Sequence, residues 1–169
     1  MNFRSIGWKS RGLIVLGLFV GVMAYGQSAV LTISGVVYRT VSIDVKPQNN
    51  YNSLDLVSGE KDKLIAVINE RSNSKTGYTV MVSSDGIGSQ NRPVLRGLVT
   101  GNSEEIPYSL NFGGRAVHFN GGTAILSRGT KRTERFGIDN PLTVTISPVR
   151  SQVMNDTYAD TLRFTIQAN

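Results

Sequence analysis

Tyr158-Ala-Asp-Thr-Leu-Arg-Phe-Thr-Ile-Gln-Ala-Asn169 alternates with a period of two, placing Leu162, Phe164 and Ile166 on one face and Thr161, Arg163, Thr165 and Gln167 on the other. A β-strand that packs on one side and meets water on the other must read this way. The alternation runs to the last residues of the chain, so the segment is expected to close a sheet. Its facing predicts that Phe164→Ala costs roughly 3 to 5 kcal/mol and Arg163→Ala under about 0.5 kcal/mol. A gap left by a missing strand is expected to lie against it.

Working outward, short alternating segments recur between turn residues, which is the pattern of an all-β sandwich or barrel. Ala29, Leu31, Ile33, Gly35 and Val37 share one parity, and Val41, Ile43 and Val45 follow before Lys46-Pro47. Asn49 to Ser53 is polar loop. Leu64 to Ile68 is apolar on both faces, as a central strand would be, and the turn-rich Asn69 to Gly77 is expected to end it. Tyr78, Val80 and Val82 point inward from the next strand, and Ser83 to Gly86 turns the chain. A weaker strand spans Val94 to Thr100. Ile106, Tyr108, Leu110 and Phe112 alternate after it, with Pro107 near a strand start or on an edge.

Gly113-Gly114 and Gly121-Gly122 bracket Arg115 to Asn120 and can supply the positive φ angles of two tight hairpins. Strands over Arg132 to Ile138 and Leu142 to Ser147 follow, the second with Leu142, Val144 and Ile146 inward. The expected fold is an Ig-like antiparallel β-sandwich. Its core draws on Ile65, Val67, Tyr78, Val80, Val82, Leu110, Phe112, Val144, Ile146, Leu162, Phe164 and Ile166.

At the other end, Arg4, Lys9 and Arg11 precede an apolar run, Leu13 to Met23, closing on Ala24-Tyr25-Gly26. This is the pattern of a secretory signal peptide, residues 1–26, with cleavage before Gln27. Only about 14 residues separate Arg11 from Gly26, against roughly 20 needed to span a bilayer. The chain is therefore expected to be exported, with one domain over 27–169 and no membrane span after cleavage. Of 18 basic and 12 acidic residues, the leader holds three basic and none acidic, which leaves a net charge of +3. The remaining cations are scattered apart from Lys131-Arg132 and Arg135, so the stripe expected of a nucleic-acid binder is missing.

Residues suited to catalysis are few. Cysteine is absent, which excludes disulfides and thiolate metal sites. The one histidine, His118, lies between Val117 and Phe119 and reads as the solvent-facing member of a strand. No nucleophile elbow or phosphate-binding loop occurs. Asp156 and Asp160 sit in a turn and at a strand start, where each carboxylate can hydrogen-bond local backbone. Lys131 to Arg135 reads as charged residues on an exposed strand edge, which deter unwanted pairing. Tyr158 sits where sandwich tyrosines bond a hydroxyl across a loop. No catalytic, cofactor or metal residue is expected, and the chain is not read as an enzyme.

Three phrases carry a resemblance: Leu31-Thr-Ile-Ser-Gly-Val-Val37, Ser72 to Ser84, and the closing Tyr158-x-Asp160-Thr161 strand. Together they resemble the corresponding segments of bacterial chaperone-usher pilins and spore-coat-U-like secreted subunits. The resemblance implies an Ig-like sandwich lacking a strand, whose gap is filled by an extension of the next subunit, with no cofactor. The partners it implies are like subunits, a periplasmic chaperone and an outer-membrane usher, and the destination is the periplasm and then the cell surface. On that basis Ala29, Leu31, Ile33, Gly35 and Val37 are a candidate donor strand, or equally the domain's own first strand. Tyr158, Leu162, Phe164 and Ile166 are the candidate groove residues. The chain departs from the family in lacking a disulfide and in having Ala168 where an aromatic residue is usual. The alternative function is a monomeric periplasmic or surface binding module using loops such as Asn49 to Ser53 and Asp85 to Arg92.

Overall fold

The computed structural model describes residues 29–149 and 153–169; the expected signal peptide and its cleavage point lie outside them. The chain divides into two compact units, Met1–Val36 and Val37–Asn169. In the first, residues 29–36 form no strand, and Val30, Leu31, Ile33 and Val36 are exposed.

The described residues of the second unit form ten strands and no helix. They are β1 (Val41–Pro47), β2 (Glu60–Ser72), β3 (Tyr78–Ser84), β4 (Val94–Gly97), β5 (Glu105–Phe112), β6 (Arg115–Ala116), β7 (Thr123–Gly129), β8 (Ile138–Ile146), β9 (Tyr158–Ala159) and β10 (Leu162–Ala168). A seven-stranded sheet runs β1-β2-β8-β5-β4-β9, with β6 also paired to β5, and a three-stranded sheet runs β10-β3-β7. All these pairings are antiparallel. The result is the all-β, Ig-like sandwich that the alternation predicts.

The inward faces follow the period-2 rule closely. Tyr78, Val80 and Val82 on β3, Ile106 to Phe112 on β5, and Leu142, Val144 and Ile146 on β8 are all buried at alternate positions. Gly113 (φ 55°) and Gly114 (φ 79°) form the two-residue turn between β5 and β6, where only glycine takes two successive positive φ angles without steric cost. Pro141 sits inside β8, where proline usually breaks a ladder. Its carbonyl accepts from Gly113 N–H at 2.9 Å, beyond the last β5 pair. A residue in an antiparallel ladder points N and O to the same side, so the missing N–H falls where β5 has already turned.

Four sequence expectations are corrected. On β2 the buried apolar residues are Ala66 and Ile68, whereas Ile65 and Val67 are half-buried, because the register shifts between Leu64 and Ala66 and changes which parity faces inward. Asn69 to Ser72 continues β2 instead of turning. Asn69, Glu70 and Ser72 tolerate the interior because each finds a hydrogen-bond partner, Glu70 above all, while Arg71 faces out. Arg132 to Gly137 is loop, not strand; its backbone is used in docking Thr133 onto Ser72, with Thr133 N donating to Ser72 O at 2.9 Å. The closing segment is two strands in different sheets, broken at Asp160-Thr161.

Candidate functional site: an open slot between two strand edges

β1 pairs only with β2 and β10 only with β3, so each ends its sheet with one edge unpaired. Beside these strands, Arg39 Nη1 donates to Asn169 O at 2.9 Å, just before β1 and just after β10. Away from that junction the strands border an apolar slot of about 250 Å³. Val45 and Pro47 line it from β1, Leu162 and Phe164 from β10, and Leu54 and Ile65 also contribute, with the core residues Leu142 and Val144 reaching it from β8.

Burial along the central strand and the β10 edge of the small sheet locates the missing cover. Tyr78, Val80 and Val82 on β3 are at most 2 % exposed, yet their β10 neighbours Leu162, Phe164 and Ile166 are only half-buried. The expected facing of β10 therefore holds, while its burial is incomplete. On β1, Val45 is 38 % exposed although its parity matches that of the half-buried Val41 and Ile43. An unpaired strand edge beside open apolar surface is a template for another extended segment.

Tyr158, expected beside Leu162 and Phe164, is instead in β9 of the large sheet. Its hydroxyl donates to Glu104 Oε2 at 2.6 Å and accepts from Asn102 Nδ2 at 3.3 Å. Loss of solvation, then the Glu104 carboxylate, raises the pKa of the phenol. Asp156 takes Val99 N–H at 3.0 Å, Asn102 Nδ2 at 2.6 Å and Thr157 N–H at 2.6 Å. Desolvation pushes its pKa upward, but these hydrogen bonds outweigh it and hold the carboxyl below its usual value.

Asp160 explains the break in the closing segment. Its carboxylate accepts from Ser84 Oγ (2.6 Å), Tyr108 Oη (2.5 Å), Gly86 N–H (2.7 Å) and Thr161 N–H (2.7 Å). One side chain thus links β3, β5 and the turn after β3 at the point where the chain changes sheets. Tyr108 titrates far above the ordinary phenol range, through burial first and the Asp160 carboxylate second, so it remains a proton donor. A second knot surrounds Glu70, 1 % exposed, which accepts from Tyr78 Oη at 3.0 Å, Ser127 Oγ at 2.9 Å and Asn140 Nδ2 at 3.2 Å. Burial and then the bond to Glu70 push Tyr78 up to about 12. The polar character of Asn69 to Gly77 suggests a turn, and only the donors to Glu70 from β3, β7 and β8 reveal that β2 runs on to Ser72.

His118 is exposed while Val117 and Phe119 pack toward the core. Among the described residues, no three His, Asp or Glu side chains form a group suited to a metal ion, and no helix is long and apolar enough to cross a membrane. Lys131, Arg132 and Arg135 are not on a strand edge; with Arg71 they line a separate open concavity on the second unit.

No family model matches the sequence, and no curated protein does. Among solved structures, the chain is similar to the Escherichia coli Hda pilus minor tip subunit HdaB at 9% sequence identity, over 74% of this chain and 79% of that one, with a TM-score of 0.38.

Proposed function

We propose that the chain is a structural subunit of a fimbria or surface coat and not an enzyme, with an open sandwich completed by an extended segment of a neighbouring copy. The observation that carries this reading is the apolar slot between the free edges of β1 and β10, with core residues of β8 reaching its lining. The occupant proposed is Ala29 to Val37. Leu31 and Ile33 recur at the spacing of alternate strand positions, and these residues occupy no strand. Backbone pairing to a free edge supplies affinity without side-chain specificity, and alternate apolar side chains filling the slot supply register. Export through the signal peptide, passage with a periplasmic chaperone and usher, and a final place on the cell surface belong to the same reading.

The test is complementation in trans. Deleting Gln27 to Val37 is expected to leave a folded, monomeric body, and a synthetic Ala29 to Val37 peptide is expected to raise its melting temperature, since a ligand that binds only the native state stabilises it. A body that unfolds on deletion, or a peptide that leaves the melting temperature unchanged, overturns strand donation.

A further inference from the structure

Arg71 on β2 and Lys131, Arg132 and Arg135 in the β7–β8 loop line one open concavity of about 1080 Å³. Among the described residues, none of the four is in an ion pair, and none donates a side-chain hydrogen bond; the three ion pairs found are Lys63–Glu60, Arg96–Glu105 and Arg163–Asp85. Glu134 is the one carboxylate on the concavity, so the lining carries an excess of three positive charges. Deterring strand pairing does not explain these cations, because 131–137 is loop. Their charge is expensive to gather on one surface, since like charges repel, and Glu134 offsets only one of the four.

The chemistry of the lining narrows the partner. Thr40 and Ser42 on and before β1, together with Thr133, add hydroxyls that can donate or accept. Ile138 adds an apolar side chain to the same lining. The volume reaches the upper end of sites for single small molecules, roughly 300 to 1,000 Å³, which favours several linked units. A flat lipid surface does not fit a concavity. Nucleic acid calls for a broader basic stripe than four side chains supply.

We propose that this concavity binds an anionic polysaccharide, with sulfate or carboxylate groups paired to Arg71, Lys131, Arg132 and Arg135 and sugar hydroxyls meeting Thr40, Ser42 and Thr133. The site shares no lining residue with the β1–β10 slot. Arg132→Ala/Arg135→Ala removes two exposed cations, and Lys131→Ala/Arg132→Ala provides a second pair should the first disturb the loop. Lys46→Ala/Lys61→Ala removes the same charge outside the concavity.

Binding to dextran sulfate and to polygalacturonate is measured by calorimetry, with neutral dextran and anionic phospholipid vesicles in parallel. The purified protein is expected to bind at least one polyanion, more weakly as salt rises. Either concavity variant is expected to bind about tenfold more weakly with its melting temperature unchanged, and the Lys46/Lys61 variant to bind like wild type. The preferred polymer identifies sulfate or carboxylate as the recognised group. Equal losses in all three variants, binding to neither polyanion, or tighter binding to vesicles than to either polymer overturns the proposal.

Discussion

Asp160 stands where the chain leaves one sheet for the other, and its four hydrogen bonds include two hydroxyls and two backbone amides. Asp160→Ala leaves the buried Tyr108 hydroxyl without its acceptor, while Ser84 Oγ can still donate to Gly86 O, and is expected to lower stability by about 2 kcal/mol in urea unfolding. The buried Tyr78–Glu70 pair predicts a pH effect. A phenol held at about 12 in the folded state and near its ordinary 10 when unfolded binds its proton more tightly in the fold. Its stabilising contribution is therefore complete below pH 10 and is lost as pH rises toward 12. Unfolding midpoints measured across pH 9 to 12 are expected to fall more steeply for wild type than for Tyr78→Phe; parallel curves would contradict this.

At the scale of the element, β10 is a strand with an unfinished environment. Phe164 faces inward but is half-buried beside the slot, so Phe164→Ala is expected to cost about 2 kcal/mol, below the 3 to 5 of a fully enclosed phenylalanine. Arg163 on the outer face pairs with Asp85, both partners being more than half exposed, and Arg163→Ala should cost under about 1 kcal/mol. Urea titrations of both variants check the facing, and equal losses would contradict it. If a peptide fills the slot, the cost of Phe164→Ala is expected to rise toward the enclosed value. Peptide-bound and peptide-free bodies can be compared directly.

For the second unit as a whole, the open slot predicts that stability depends on what fills it. Val45 lines the slot and is already 38 % exposed, so Val45→Lys is expected to leave the melting temperature of the body close to wild type. The same change is expected to abolish the rise produced by the Ala29 to Val37 peptide, because a charged side chain would have to be desolvated against Leu162 and Phe164. A retained rise would place the peptide elsewhere.

How much of this was legible follows from the range of the forces involved. Alternation along Tyr78–Ser84, Glu105–Phe112 and Leu142–Ile146 is local, and it determined the strand faces and the sandwich class because each inward position answers to one buried side. Gly113-Gly114 determined the β5–β6 hairpin through backbone sterics alone, whereas Gly121-Gly122, expected to make a second hairpin, turns the chain across a single Asn120–Thr123 bridge and leaves β7 to pair with β3. The changed parity of β2 depends on its register against β8, and the burial of Glu70 on donors from three other strands, so neither is written in its own segment. The break at Asp160 needed partners as remote as Ser84 and Tyr108. The slot itself is a relation between β1 and β10, strands separated by most of the domain, and the basic concavity joins Arg71 to a loop some sixty residues later. Sequence determined which faces are apolar; only tertiary structure decided which of them were left uncovered, because covering is a property of the neighbours a strand finds in space.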